Sequence, residues 1–347
     1  MEHTFLLMKK TVNFVLAAVA FCFILLQRPY AQESDVTEFK ILFGSCNRVE
    51  LQNPFWEQMA QNQADVFIWG GDAIYADTRN MRKMKKMYVA QKKIPDYKAF
   101  AESILVMGTW DDHDYGLNDA GAEYDQKQKS QKLFLDFIEI PKNAETRKTE
   151  GVYTSRDFEV SGKKIKIIIL DTRYFRSNLK RSANPEKRYD PTTDSSKTML
   201  GKTQWDWLAR ELQDKTDFTV IMSSIQFLSH EHGFEAWGNF PYEVARFEGL
   251  IKNSNANGVI LLSGDRHIAE FSKKEIPGLQ YPLIDFTSSG LTHTYTAFDG
   301  EPNEYRVGEV VTRKNYGLVS INLNTNAVNF KIMGENNEVL QEIEQDY

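Results

Sequence analysis

Residues 65–75, with the sequence DVFIWGGDAIY, decide the fold class because they join a buried strand to polar side chains. The apolar run in Asp65–Trp69 predicts a strand, and Asp72 and Tyr75 follow it directly. Open α/β sheets place their ligands at the carboxyl ends of such strands. We therefore expect an α/β protein with a polar site at one edge of the sheet.

Three further stretches have the same arrangement of a predicted strand followed by polar side chains. They are FKILFGSCN at 39–47, ILVMGTWDDHD at 104–114 and GVILLSGDRH at 258–267. The first supplies the thiol of Cys46, and the other two supply aspartates and a histidine. Carboxylates, a phenol, imidazoles and a thiol at neighbouring strand ends have the composition of a metal site, so the sequence predicts a metalloenzyme.

Strand and helix patterns alternate along most of the chain, which indicates an α/β fold. Helices are predicted at 53–63, 81–93, 123–138, 202–213 and 242–251, and further strands at 164–170 and 218–223. Two predicted hairpins, which turn at Ser161-Gly162 and Asn324–Asn326, add antiparallel strands to an otherwise parallel arrangement. Mixed sheets favour a two-sheet sandwich flanked by helices. The polar segment Ser177–Leu200 is predicted to be a long surface loop and is a candidate border of the active site.

The amino-terminal residues have the layout of a secretory signal peptide. Lys9 and Lys10 precede an apolar run from Val12 to Leu26, and a small residue follows at a suitable cleavage point. The sequence therefore predicts a signal peptide at 1–31 and a single domain at 32–347, exported to the periplasm, the cell surface or the medium. An uncleaved membrane anchor is the alternative, although the run is short for a membrane span.

Charge and cysteine content narrow the function classes. The formal net charge of −6 becomes −8 once residues 1–31 and their net charge of +2 are removed, which argues against a nucleic-acid partner. Cys22 leaves with the same segment, so Cys46 becomes the only cysteine and has no partner for an internal disulfide. Metal ligation would explain this thiol in an exported protein. The alternative is a buried cysteine that acts as a small apolar side chain.

Asp72 and Tyr75 lie three positions apart just beyond a strand, so a carboxylate and a phenol can face the same ion. A phenolate suits a trivalent ion, ferric iron above all, and is uncommon at zinc or magnesium sites. Cys46 and His267 would complete a site of thiolate, phenolate, imidazole and carboxylate.

The other polar residues at the strand ends suit a second ion. Asp112, Asn118 and Asp265 are all oxygen donors, which favour calcium, magnesium or manganese. Asp72 could bridge to this ion through its second oxygen. Two ions close together can clamp a phosphate ester, and His113 would then stand near the leaving-group oxygen. Each motif alone also has a structural explanation, such as a helix cap or a hydrogen-bonded pair, but their shared position at strand ends favours one site.

As a set, the motifs resemble a known superfamily. Gly71-Asp72-x-x-Tyr75 is the Gly-Asp-x-x-Tyr motif of the binuclear metallophosphoesterases, which include the purple acid phosphatases and calcineurin-like enzymes. Asp112-His113-Asp114 lies where that superfamily has Asn-His-Asp/Glu, and Gly264-Asp265-Arg266-His267 lies where it has Gly-His-x-His. The thiol motif Gly44-Ser45-Cys46 departs from the pattern, and Met222–Phe227 lies where a histidine ligand is normal. Together these departures resemble the PhoD-type alkaline phosphatases, also called alkaline phosphatase D.

The resemblance covers about 39–294 and implies a four-layer α/β/β/α metallophosphoesterase sandwich with metal-dependent phosphoesterase activity. The implied ligands are Cys46, Asp72, Tyr75 and His267 for Fe3+, and Asp72, Asp112, Asn118 and Asp265 for Ca2+ or another divalent ion. The resemblance also implies that His113 acts near the leaving group and that Arg173 contacts the phosphate.

The ester class stays open at this stage. Monoesters and diesters both fit, with a phospholipase-D-like phosphodiesterase as one alternative and a non-catalytic binder of phosphate or carbohydrate as another. Retention of His113 with the full ligand set argues against the binder. The basic stretch Met81–Lys93 would suit a phospholipid substrate surface, but a solvated helix face with Met84 and Met87 packed inward is favoured. No obligate protein partner is indicated.

Overall fold

Two sheets carry the fold of residues 37–347, the part of the chain that the computed structural model describes. In spatial order the first sheet contains β15 (Val339–Asp346), β14 (Ala327–Met333), β13 (Tyr316–Asn322), β1 (Glu38–Gly44), β2 (Val66–Gly70) and β3 (Leu105–Thr109). The second contains β12 (Arg306–Val311), β10 (Ala269–Lys274), β11 (Leu283–Ser288), β9 (Val259–Ser263), β8 (Phe218–Met222), β5 (Lys163–Ile169) and β4 (Thr154–Val160). The short strands β6 (Lys180–Arg181) and β7 (Tyr189–Asp190) pair separately.

Helices lie between the strands. They are α1 (Trp56–Gln61), α2 (Met81–Lys93), α3 (Pro95–Ser103), α4 (Asp112–Tyr115), α5 (Lys127–Phe137), α6 (Gly201–Glu211) and α7 (Pro241–Lys252). On α2, Met84 is buried and Met87 half-buried, whereas Lys85 and Lys86 are exposed, as a solvated helix face requires. Across residues 37–347, no helix combines the length and apolar character needed to cross a membrane.

Both sheets are mixed. In the first, β1, β2 and β3 are parallel, whereas β13, β14 and β15 run antiparallel to their neighbours. In the second, β5, β8, β9 and β11 are parallel, and β4, β10 and β12 join by antiparallel pairing. Both predicted hairpins are present, and the prediction of mixed sheets is confirmed.

The side chains of each central strand alternate between two apolar cores, because successive residues of a strand point to opposite faces. On β2, Ile68 points between the sheets, and Trp69 packs against the helices on the outer face of the first sheet. On β9, Ile260 points between the sheets and Leu261 packs against α6 and α7. These three cores give the layer order helices, sheet, sheet, helices, which confirms the predicted α/β/β/α sandwich.

Some elements differ from their predicted bounds. The first helix begins at Trp56, because the Asn53 side chain accepts a hydrogen bond from the Phe55 amide at 2.9 Å and holds a turn instead. Helix α3 was not predicted, since it is short and directly follows α2 at Pro95. The predicted signal peptide at 1–31 lies outside the described residues.

Candidate metal centre

Five polar residues lie at the same place relative to five strands. Cys46, Asp72, Asp111, Ser224 and Asp265 each follow the last residue of a strand by two positions, after β1, β2, β3, β8 and β9 respectively. Because these strands are parallel within their sheets, their carboxyl ends meet at one edge. The polar residues that follow these strands are therefore brought to one site.

Two glycines let the strand-end turns approach each other closely. Gly71 has φ +98°, and a Cβ there would lie 2.4 Å from the Asp111 Cβ. At Gly264 a Cβ would lie 2.5 Å from the Ser45 Oγ. Since real side chains do not approach so closely, only glycine permits these turns to touch.

Left-handed backbone conformations concentrate at the same turns. Cys46, Asp72, Asp265 and His267 have φ values of 61°, 53°, 68° and 57°. Such conformations cost roughly 1 kcal/mol or more for a residue with a Cβ, and they persist where the surrounding structure imposes them. The fold therefore holds these four side chains in strained positions that aim them into the site.

The potential ligand atoms form overlapping groups. Within the described part of the chain, the groups are Cys46–Asp72–His267, Asp72–Asp112–His113 and Asp111–Asp112–Asp265, each with its ligand atoms within 4.8 Å of one another. Asp72 belongs to the first two groups and Asp112 to the last two. This arrangement allows neighbouring cations to share a carboxylate, as the sequence suggested for Asp72.

The acidic groups of the cluster need a cation to balance them. Burial raises the pKa of Cys46, of Asp72 and of Asp265, and in each case neighbouring carboxylates add to the effect. The buried Oδ2 of Asp111 has no hydrogen-bond partner among residues 37–347. Buried anions are stable only when paired or bound to a metal, so this donor set fits metal ions.

Tyr75 and His267 lie together in the cluster. The Tyr75 hydroxyl is 2.9 Å from the His267 Nε2. Burial raises the pKa of the phenol, while burial and the nearby His293 and His113 lower the pKa of His267 to about 3. His267 is therefore a neutral imidazole, which is the form that binds a metal.

His113 is held by carboxylates on several sides. Its Nδ1 lies 2.8 Å from one Asp77 carboxylate oxygen, and its Nε2 lies 3.9 Å from the Asp112 Oδ1. Burial opposes the charged form, but Asp72, Asp112 and Asp77 outweigh it and raise the pKa of His113 to about 11. Without bound cations, His113 is a protonated imidazolium whose Nε2 faces the cluster.

Asp112 and Asn118 occupy the wall of a cleft of about 340 Å³, which His113 and Asp265 also line. Asp112 is buried and its two oxygens accept hydrogen bonds from the His113 amide at 2.8 Å and the Asp119 amide at 2.6 Å. Asn118 is exposed beside it. The structure thus brings the predicted oxygen ligands Asp112, Asn118 and Asp265 to the same opening.

Arg173 was expected to contact the phosphate, but its side chain does not line the cleft. Its side chain is fully buried, with the Nε donating to Asp111 at 2.7 Å and the Nη1 donating to Glu235 at 2.6 Å. Glu235 also pairs with Arg176. Both ends of the guanidinium are occupied by carboxylates, so Arg173 positions Asp111, and a direct phosphate contact would require the guanidinium to leave these partners.

Sequence reasoning missed several residues of the site. Asp77 and His293 gave no signal because each is a single polar residue in a loop, without a preceding strand motif. His293 packs its ring 4.5 Å from His267, and its buried Nε2 has no partner among the described residues. Asp111 could have been recognised from its place in the 104–114 motif. Ser224 occupies the segment where a histidine was expected and donates to Asp111 at 2.6 Å.

The chain is similar to known proteins in sequence and in fold. Residues 41–288 match the family described as PhoD-like phosphatase. The chain is 22% identical over 307 residues to alkaline phosphatase D of Bacillus subtilis (strain 168), an alignment that covers 75% of this chain and 52% of that protein. The chain therefore spans about half the length of this curated relative.

Solved structures are similar in fold. The structure of PhoD superimposes with a TM-score of 0.68 at 18% identity and covers 90% of this chain and 69% of that one. A dimetal phosphatase from Danio rerio superimposes with a TM-score of 0.53 at 11% identity and covers 89% of this chain and 99% of that one. At these identities the likeness establishes the shared fold.

Proposed function

The chain belongs to the PhoD-like phosphatase family, and we propose that it hydrolyses phosphate esters at the cluster beyond β1, β2, β3 and β9. One observation carries the proposal: Asp72 and Asp112 are each shared between neighbouring groups of potential metal ligands. Shared carboxylates hold cations close together, which is the arrangement that phosphoesterases use to clamp a phosphoryl group.

The donor types divide the cluster between two kinds of cation. We propose that Cys46, Asp72, Tyr75 and His267 hold Fe3+, because a thiolate and a phenolate suit a trivalent redox-capable ion. We propose that Asp72, Asp112, Asn118 and Asp265 hold Ca2+ or a similar divalent ion, because all their donors are oxygens. Bound cations would neutralise the phosphoryl oxygens and activate the attacking water.

His113, held by Asp77, acts on the leaving group, whereas Arg173 has a positioning role. Asp77 engages the Nδ1 of His113, which leaves the Nε2 free to donate a proton or a hydrogen bond to the leaving oxygen. Arg173 does not touch the substrate in this proposal. It holds Asp111 against the cluster and compensates the buried charge of Glu235.

The substrate is a phosphate monoester or diester. A phospholipid diester is the alternative within the same chemistry, and a non-catalytic binder is the alternative outside it. His113 favours an enzyme, because a binding protein has no use for a proton donor at the leaving group. The layout of residues 1–31 supports export of the protein to the periplasm, the cell surface or the medium.

Purified protein tests the proposal directly. We expect metal analysis to find iron and a divalent ion, and we expect turnover of both 4-nitrophenyl phosphate and bis(4-nitrophenyl) phosphate, with their ratio defining the ester class. Chelation should abolish turnover, and restoring the metals should recover it. The Asp96→Asn variant, which changes an exposed carboxylate on α3, serves as the control. Phosphate binding without turnover of either ester would favour the non-catalytic alternative.

A further inference from the structure

We propose that Arg188 recognises a second oxyanion on the substrate, so that the enzyme prefers phosphate esters whose other part carries a negative charge. The inference rests on the proposed function, since it assigns a substrate class to the same cleft. Arg188 belongs to the 177–200 loop, and its side chain lines the cleft with Asp112 and His113. This placement also shows that the loop borders the candidate site.

The backbone fixes Arg188 at the rim of the cleft. The amides of Arg188 and Tyr189 both donate to the Gly233 carbonyl, at 2.8 and 2.9 Å. Strand β7 begins at Tyr189 and pairs with β6. A side chain presented from an anchored backbone loses less entropy on binding than one presented from a free loop. Arg188 is therefore suited to selecting a ligand.

The Arg188 guanidinium has hydrogen-bond donors that no side chain of the described residues uses. Its Nη1 donates to the Asp119 Oδ2 at 2.8 Å, and no other side-chain partner occurs among the described residues. The Tyr189 hydroxyl donates to the same Asp119 oxygen at 2.6 Å, so that carboxylate stays held if Arg188 turns to a ligand. The Arg188 side chain is 43% exposed, and its planar fork matches the oxygens of a carboxylate or phosphate.

Of the two arginines that line the cleft, Arg188 and Arg266, only Arg188 has an accessible guanidinium, and the neighbouring Arg173 is buried. Arg173 is buried between Asp111 and Glu235. Arg266 pairs with Glu301 at 2.5 Å, and only 8% of its side chain is exposed. Arg188 is the accessible guanidinium of the three, and we assign it to the part of the substrate that the metal cluster does not neutralise.

Hydrogen bonds also connect Arg188 to the proposed metal cluster. Its partner Asp119 donates its own amide to the Asp112 Oδ2 at 2.6 Å, so one residue separates Arg188 from a proposed metal ligand. An oxyanion attached near the reacting phosphoryl group can therefore meet Arg188 while the phosphoryl group occupies the cluster. The expected substrates are phosphate esters with a carboxylate or second phosphate on the leaving side.

The test uses two non-hydrolysable ligands, 4-carboxyphenylphosphonate and its neutral analogue 4-carbamoylphenylphosphonate, with metal-loaded full-length protein. Dissociation constants are measured by calorimetry for wild type, Arg188→Gln, Arg188→Lys and the control Lys180→Gln. Lys180 is an exposed cation on β6 of the same loop and does not line the cleft. We expect wild type to prefer the carboxylate ligand by about tenfold or more, the effect of a charge-assisted hydrogen bond.

We expect Arg188→Gln to remove that preference, Arg188→Lys to keep part of it, and Lys180→Gln to keep it. Equal weakening of both ligands in Arg188→Gln, an unchanged preference, or a matching loss in Lys180→Gln would each overturn the inference. Turnover of phenyl phosphate separates the two proposals. If wild type hydrolyses phenyl phosphate and its preference for the carboxylate ligand does not depend on Arg188, only the inference fails. If the preference depends on Arg188 and no ester is hydrolysed, only the proposed function fails.

Discussion

The phenol ring of Tyr75 stacks on the imidazole ring of His113, with ring centroids 4.2 Å apart and planes inclined by 27°. The Tyr75 hydroxyl reaches His267, and the Arg48 guanidinium lies 4.9 Å from the centre of the same ring. One aromatic side chain thus connects a proposed iron ligand with the proposed proton donor. Tyr75 therefore contacts both the proposed proton donor, His113, and His267 of the metal cluster.

His113→Asn should lower kcat by about 10²–10⁴, the usual loss for a positioned acid–base group. An alkyl phosphate should lose more than 4-nitrophenyl phosphate, because an alkoxide needs a proton and nitrophenolate leaves without one. Metal content should stay at the wild-type level, since the other ligands remain. Equal losses on both substrates would mean that His113 positions the phosphate, and loss of metal would make it a ligand.

Asp77→Asn should lower the pKa of His113, because it removes an anion that stabilises the imidazolium. In the metal-free protein that pKa is raised to about 11, against about 6.5 in the unfolded chain. The resulting stabilisation is complete below about pH 6.5 and disappears as the pH rises towards 11. Melting temperatures of the metal-free variant should fall below wild type at pH 7, and the difference should close only as the pH approaches about 11. Nitrogen NMR of the imidazole reports the pKa itself, and an unchanged value would contradict the role of Asp77.

Cys46→Ser should bleach or shift a visible absorption band and weaken iron retention, because an alcohol does not replace a thiolate ligand. Wild-type protein should be coloured, since a thiolate and a phenolate both give charge-transfer bands with ferric iron. The spectrum and the iron content of the two proteins check this prediction. Stoichiometric zinc, no iron and a featureless visible spectrum in wild type would refute the iron assignment.

Asp72→Asn should weaken binding of both kinds of cation, because the carboxylate belongs to two of the ligand groups. We expect both metals to be lost together on dialysis and activity to fall to background, while Asp96→Asn retains both. Retention of both metals with loss of activity would contradict the bridging role.

Arg173→Met should destabilise the protein by about 3–5 kcal/mol, the cost of leaving buried charges without their partner. Urea unfolding of the variant checks the value, with Lys180→Gln expected within about 0.5 kcal/mol of wild type. If Arg173→Met instead keeps wild-type stability and only KM for phosphate esters rises, Arg173 contacts the substrate directly.

The strand-end motifs could be predicted from the sequence because their signals are local. A run such as Val66–Trp69 is apolar on both faces, and the polar residues that follow it are adjacent in the chain. The phosphate contact of Arg173 was implied by the family resemblance and not by a strand-end signal. Arg173 lies beyond the end of β5, but only the folded chain shows that Asp111 and Glu235 enclose its guanidinium.

The sequence by itself determined the two-sheet sandwich and the residues delivered to one edge, because hydrophobic periodicity and strand-end position are properties of short segments. Tertiary structure alone decided which side chains meet. The contact between Tyr75 and His267 joins residues 192 positions apart, and the contact between Arg188 and Asp119 joins residues 69 positions apart. Local patterns carry no information on such pairs, since the packing of both sheets brings them together.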